Sequence, residues 1–199
     1  FNQTKTGIGY SITTEPYEAG KECSAKAIEQ IGDSPINIVI IFCSGKYNPE
    51  LFLAGVRSNT GNAPVIGGAA FGVFTNTELS YEAYEATAAV LSSDTIKFQT
   101  FSQGELNIDE YAAGIGLANK INGTGTENAK GLLVFYDTAK SRNPPLLNFV
   151  SPLFAALKDQ IDPALCCAGA GVMGDFQLTS CFQCFDNTVL STHFLGLFF

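Results

Sequence analysis

NIVIIFCSGKYNPELF, from Asn37 to Phe52, is an uninterrupted apolar and β-branched run, then a polar loop, then Asn-Pro. A run without polar alternation suits a strand covered on both faces, as in a parallel or mixed sheet with layers on either side. Asn48 has the side chain to cap a helix and Pro49 suits its first position, so a helix with Leu51, Phe52 and Val56 facing inward is expected next. The same succession returns at residues 130–147 as KGLLVFYDTAKSRNPPLL, where Asn143-Pro144 is expected to open a second helix through LLNFVSPLFAALKDQI.

Working outward, KTGIGYSITTE alternates as a strand does, and EPYEAGKECSAKAIEQIG reads as a helix with Pro16 at its start and Gly32 at its end. Its buried stripe is expected to be Tyr17, Gly20, Cys23, Ala27 and Ile31. After the second helix, APVIGGAAFG reads as a short strand breaking into a glycine-rich turn, and YEAYEATAAVLSS as an extended segment. The rest repeats that order. DTIKFQTFS is a strand, and Asn107 with Glu110 forms a capping box for DEYAAGIGLANKI, with Tyr111, Ile115, Ala118 and Ile121 inward. ALCCAGAGVMGD mirrors APVIGGAAFG, and FQLTSCFQCFD with TVLSTHFLGLFF reads as a hairpin around Asp186-Asn187. The expectation is an α/β domain over residues 1–199, internally duplicated into β-α-β-α-β-β halves at 1–92 and 93–199, with Asn48 equivalent to Asn143. The halves are expected to share one mixed sheet flanked by helices.

Here the residues carry a resemblance. TGIGYSITTEPYEAGKECSAKAI, IVIIFCSGKYNPELFLAGVRSNTGNAPVIGGAAFG, GLLVFYD and LCCAGAGVMGDF together resemble the N-terminal domain of the FIST family, over nearly the whole chain. The resemblance rests on element order and glycine positions. It implies an α/β fold and a non-enzymatic role in binding small ligands, as in a sensor module.

Composition excludes several classes. Nineteen acidic and eleven scattered basic residues give a net charge of −8, which argues against nucleic acid as a partner. An apolar share of 46% with 15% charged residues suits a globular chain of 199 residues, and no segment reaches the roughly 18 apolar residues of a membrane span. The chain begins at Phe1 without methionine, as the processed product of an exported precursor would. Sequons at Asn2 and Asn122 and an even six cysteines fit that reading. An extracellular or periplasmic location is expected, with a cytoplasmic one as the alternative.

Chemistry-bearing residues are sparse. The single histidine, His193, lies in TVLSTHFLGLFF, on a strand face shared with Val189, Ser191, Leu195 and Leu197, and no nucleophile elbow accompanies it, so no catalytic residue is expected. Cys181 and Cys184 stand three apart on a strand, where they point to opposite faces, and Cys166 with Cys167 are adjacent; neither pair suits a metal. They read as buried small hydrophobes, with a disulfide through Cys181 or Cys184 as the other possibility. No metal or cofactor is expected. The glycine segments GGAAFG and AGAGVMGD allow two readings: close packing where the halves meet, or backbone donors around a ligand. A pocket at these strand ends would be lined by Ser44, Gly67, Gly68, Asp137, Gly169 and Asp175.

The expected function is a small-ligand binding or sensor module. The alternative is an extracellular structural protein that self-assembles into a fibre through terminal strands, because FNQTKTGIGYSITTE has a strand pattern that can add to a neighbour's sheet edge and the aromatic end STHFLGLFF must be covered by its own sheet or by a neighbour.

Overall fold

In the computed structural model, which describes residues 3–81, 84–124 and 129–199, the first half runs β1 (Thr4–Ser11), α1 (Pro16–Ile31), β2 (Ile38–Ser44), α2 (Pro49–Thr60), β3 (Val65–Ala70), β4 (Val73–Phe74), β5 (Leu79–Ser80) and β6 (Ala86–Ser93). The second half runs β7 (Gln99–Gln103), α3 (Glu110–Asn122), β8 (Gly131–Asp137), β9 (Ala139–Arg142), β10 (Pro145–Leu147), α4 (Val150–Gln160), β11 (Cys166–Val172), β12 (Gln183–Phe185), β13 (Thr188–Leu190) and β14 (Phe194–Phe198).

Four strands of each half repeat each other in order and direction. One sheet has the order β1-β6-β2-β3, and the other the order β7-β14-β8-β11. In both, the third strand of that order runs antiparallel to the second and parallel to the fourth. The equivalence extends to single bonds. The Ser44 N–H donates to the Glu85 carbonyl at 2.8 Å, and the Asp137 N–H to the His193 carbonyl at 3.0 Å. Ser44 Oγ then accepts from the Lys46 N–H and Asp137 Oδ1 from the Ala139 N–H, so one local turn ends both strands.

The two sheets do not merge into one mixed sheet as expected; they stack face to face. β2 and β8 each have two apolar faces, and a helix pair covers only one. Ile38 and Ile66 of the first sheet pack on Phe135, Val172, Leu195 and Leu197 of the second. The helices cover the outsides: α1 and α2 through Cys23, Ala27, Phe52 and Val56, and α3 and α4 through Leu117, Ile121, Leu153 and Leu157. Each fully buried side chain of this size stabilises the fold by about 1.5–3 kcal/mol.

Helix ends follow local chemistry. Asn48 Oδ1 accepts the Leu51 N–H at 2.9 Å with Pro49 at the first position, while Gly32 and Gly61 close α1 and α2 at positive φ. Three expectations need correction. The cap of α3 is Asp109, accepting the Ala112 N–H at 2.9 Å, because the chain is still turning at Asn107, where the Ile108 N–H bonds the Glu105 carbonyl. Tyr17, Leu51 and Tyr111 face water. The helix pairs cross so closely that a Cβ on Gly20 would fall on the Phe52 carbonyl and one on Gly55 on the Tyr17 carbonyl, which leaves no room there for large side chains. Asn143-Pro144 starts no helix. It is the turn of the β9–β10 hairpin, and α4 begins three residues after β10, so the equivalent of Asn48 is Phe149.

The β12–β13 hairpin turns at Asp186, φ 51°, as expected, but adds to the first sheet beside β3. The chain then crosses to the second sheet, so His193 lies in the crossing between β13 and β14 and not on a strand face. β14 is paired on both sides, with Phe194, Leu195, Leu197 and Phe198 buried. The aromatic end is therefore covered by its own sheet.

Gly114→Ala would set a methyl 2.6 Å from Ala156 Cβ and 2.9 Å from the Leu153 carbonyl, the repeat of the Gly20–Gly55 contact. It is expected to cost about 1–3 kcal/mol. Ala156→Gly added to it should return part of that loss, as urea unfolding midpoints will show.

Glu22 fixes α1 to the end of β1. It accepts from Lys26 Nζ, Ser11 Oγ and Thr13 Oγ1 at 2.7, 2.5 and 2.7 Å, and these bonds, Lys26 first, lower its carboxyl from 4.5 to about 2. A depressed carboxyl contributes stability that is present above pH 4.5 and lost as pH falls through about 2. Glu22→Gln should flatten the stability profile in that window, read from chemical unfolding at stepped pH.

Candidate functional site

The carboxyl ends of β2 and β3 lie against the carboxyl end of β11 and the loop beyond it. A Cβ on Gly45 would lie 2.7 Å from Gly174 Cα and from Ser180 Cβ, the Met173 N–H donates to the Ala69 carbonyl at 3.2 Å, and the rings of Phe71 and Phe176 are 4.3 Å apart. The strand ends thus close on each other.

The six residues expected to line a pocket there fall into three groups. Ser44 and Asp137 are repeat equivalents at strand ends, and both are buried. Asp137 gives one oxygen to the Ala139 N–H at 2.9 Å and the other to the Thr192 N–H at 2.7 Å, tying β8 to the crossing before β14. Asp175 accepts from the Thr179 N–H, Thr179 Oγ1 and the Ser180 N–H. Partial burial works against its charge, but these bonds outweigh it and hold the carboxyl below its ordinary range.

Gly67, Gly68 and Gly169 are not in turns. The first two sit inside β3, paired on both sides, and Gly169 sits inside β11. Gly67 has φ 147°, and a Cβ on it would fall on the Ile41 carbonyl; a Cβ on its equivalent, Gly169, would fall on the equivalent Val134 carbonyl. A Cβ on Gly68 would be 2.5 Å from the Phe182 carbonyl. Close approach of strand to strand requires these glycines, and the ladder uses the backbone of Gly67 and Gly68.

Two polar contacts, one buried and one at the surface, were not legible in sequence. Gln183, fully buried on β12, donates to the Phe135 and His193 carbonyls and accepts the His193 N–H at 3.0 Å, which joins the two sheets through one amide. His193 Nδ1 lies 2.6 Å from the Ser191 carbonyl, which it reaches as a donor. All six cysteines are free: Cys181 packs on Ala139 and Leu178 and Cys184 in the core under α1 and α2, both as buried small side chains, whereas Cys166 is exposed and departs from that reading. Burial raises the thiols of Cys23 and Cys184 to about 12 and that of Cys43 well above its ordinary value.

The second half holds a cavity at the opposite end of its sheet, of about 190 Å³, where the last turns of α3 and α4 meet the start of β8 and the end of β14. Ile121, Ile161, Leu165 and Phe198 form its apolar wall, Ala129 and Ala164 flank it, and Asn122, Lys130 and Asp162 bring polar groups. Asn122 Nδ2 donates to the Gln160 carbonyl at 2.8 Å, and Asp162 Oδ1 accepts the Ala164 N–H at 2.8 Å. None of the six expected residues lines this space. The one legible signal was a lone Lys130 ahead of an apolar strand. Of the two sequons, Asn122 borders the cavity at the end of α3, and Asn2 lies outside the described residues.

Asp137→Asn keeps the shape of the strand end but removes the charge that holds two backbone donors, and should cost about 1–3 kcal/mol. Chemical unfolding checks the loss, and Thr192 and Ala139 amide exchange should quicken with it.

Lying under 25% identity, one likeness among solved structures is to a cyanuric acid hydrolase described as evolutionary innovation by structural concatenation: 9% identity, TM-score 0.48, covering 99% of this chain and 69% of that one. No curated protein matches. The family profile of the FIST N domain matches residues 37–199. β1 and α1 lie outside that match, but repeat β7 and α3 within it. Profile and repeated fold agree with the sequence resemblance, and the chain belongs to the FIST N domain family.

Proposed function

We propose that this chain is a non-catalytic module that binds a small ligand in the cavity between α3, α4 and the start of β8, as a sensor-type domain does. The observation that carries the reading is the make-up of that cavity, an apolar wall with one cation and one carboxylate among its lining residues. Among the described residues the Lys130 side chain makes no hydrogen bond or ion pair, its backbone N–H alone donating to the Phe199 carbonyl at 2.7 Å, so the lining offers its ammonium to an anionic group. At about 190 Å³ the space is below the roughly 300–1,000 Å³ of drug-sized sites, which suits a compact molecule with an apolar body and a charged end.

The rest of the chain supports a binding role over catalysis. The imidazole of His193 is engaged with a backbone carbonyl, and the Cys23, Cys43 and Cys184 thiols are buried and held protonated. Of the two terminal strands on which a fibre would depend, β14 is central in its own sheet, and β1 is an edge strand whose outer groups bond Gln30 and Lys26 of α1.

Thermal unfolding with short carboxylates from butyrate to phenylacetate, and with the matching amines, tests the proposal. A ligand at about 100 times its Kd adds about 2.7 kcal/mol, or roughly 5–10 °C in Tm. Ile161→Trp, which fills the cavity, should abolish the shift, and Lys130→Ala should weaken that of the carboxylates alone. No shift with either class, or an equal shift in the filled variant, would defeat the reading.

A further inference from the structure

The two large sheets end in four edge strands, β1, β13, β7 and β11. An edge strand offers unpaired backbone groups to any other strand unless something blunts it. β1 is blunted by α1: Gln30 Oε1 accepts the Ile8 N–H at 3.2 Å, Gln30 Nε2 donates to the Ile8 carbonyl at 2.6 Å, and Lys26 Nζ donates to the Tyr10 carbonyl at 3.0 Å. On β7, Lys120 Nζ occupies the Ser102 carbonyl at 2.5 Å, and β13 is only three residues long. β11 has none of these devices. It reads CCAGAGV, seven residues without charge or proline, and Cys166, Ala168, Gly169 and Ala170 are exposed.

The repeat shows what this flank of β11 accepts. Its equivalent, β3, carries an antiparallel strand there, with the Ala69 N–H donating to the Phe182 carbonyl at 2.9 Å and the Val65 carbonyl accepting from Asp186 at 2.8 Å. Transferred through the equivalence, the outward groups of β11 are the Cys167 carbonyl, both backbone groups of Gly169 and the Gly171 N–H. Among the described residues no hydrogen bond reaches that flank.

We propose that two copies of this chain associate edge to edge through antiparallel β11 strands, with a two-fold axis at Gly169. A second β11 is a matched occupant, since it is as neutral as the first on a chain whose net charge is −8, and the small side chains let the backbones close. One self-pairing removes both bare edges, whereas a foreign strand would leave a new one. The ladder continues the second sheet across the axis as β12 continues the first. The four outward groups of each β11 pair as four backbone hydrogen bonds, two at Gly169 and one from each Gly171 N–H to the Cys167 carbonyl of the second copy, which makes the interface a small one and the dimer a weak one.

About this axis Ala168 faces Ala170 of the second copy, which sets the test. Sedimentation equilibrium of the full chain from about 1 µM to 1 mM, the range for small interfaces, should show a monomer of 21.1 kDa giving way to a dimer. Ala168→Lys with Ala170→Lys places like charges opposite and should raise the dimer Kd at least tenfold, with circular dichroism unchanged. Ala168→Lys with Ala170→Glu places opposite charges across the axis and should restore the dimer. The Gly169 and Gly171 amides should exchange more slowly at high concentration. A wild-type monomer throughout the range, a dimer indifferent to the paired lysines, or a failure of the Lys/Glu variant to recover would each overturn the proposal.

Discussion

The ring of Phe42 meets that of its own repeat equivalent, Phe135, edge-on at 5.2 Å between the two sheets. This contact marks the constraint on which the molecule depends: two copies of one sheet share one apolar interior. Each copy must then be apolar on both faces, toward its helices and toward the other copy. That requirement excludes polar side chains from the middle of β2 and β8 and brings the strands close enough to demand Gly67 and Gly169 at equivalent points. Gln183 is a polar exception, and all three of its hydrogen bonds run to the backbone of the second half.

Within that constraint the halves have diverged where the chain leaves the sheet. After β2 a four-residue loop leads directly to α2, whereas after β8 the β9–β10 hairpin intervenes before α4. After β3 the excursion is the short β4–β5 pair; after β11 it is a longer loop and the β12–β13 hairpin, which docks on the other half. This exchange widens the first sheet and leaves β11 bare, so the asymmetry of the fold and its most exposed strand have one origin.

The same geometry decides where chemistry can occur. At the carboxyl ends of the strands, the usual place for ligands in open α/β sheets, the loops of the two halves lock together and their polar side chains serve backbone donors. Glu110 is one more committed group. Burial works against its charge, yet two bonds from Lys140, at 2.8 and 2.9 Å, outweigh it and hold the carboxyl below its ordinary range. The free volume lies instead at the other end, where helix ends and strand ends diverge.

Read alone, the sequence determined the element order, the duplication, the Asn48 cap, the Asp186 hairpin and the two-sided burial of β2 and β8, because these depend on local backbone preference and on runs of apolar side chains. It misassigned Asn143-Pro144, since Asn-Pro serves a hairpin turn as well as a helix start and only the pairing of β9 with β10 distinguishes them. It misread the helix stripes at Tyr17, Leu51 and Tyr111, because periodicity counts apolar residues but does not reveal that a crossing this close admits only glycine and alanine. The glycines of β3 and β11 looked like turns for the same reason: their need for a missing Cβ comes from a carbonyl on a neighbouring strand. That contact, the stacking of two sheets in place of one, and the position of the cavity were decided by tertiary structure, since each depends on surfaces that exist only once distant segments have packed.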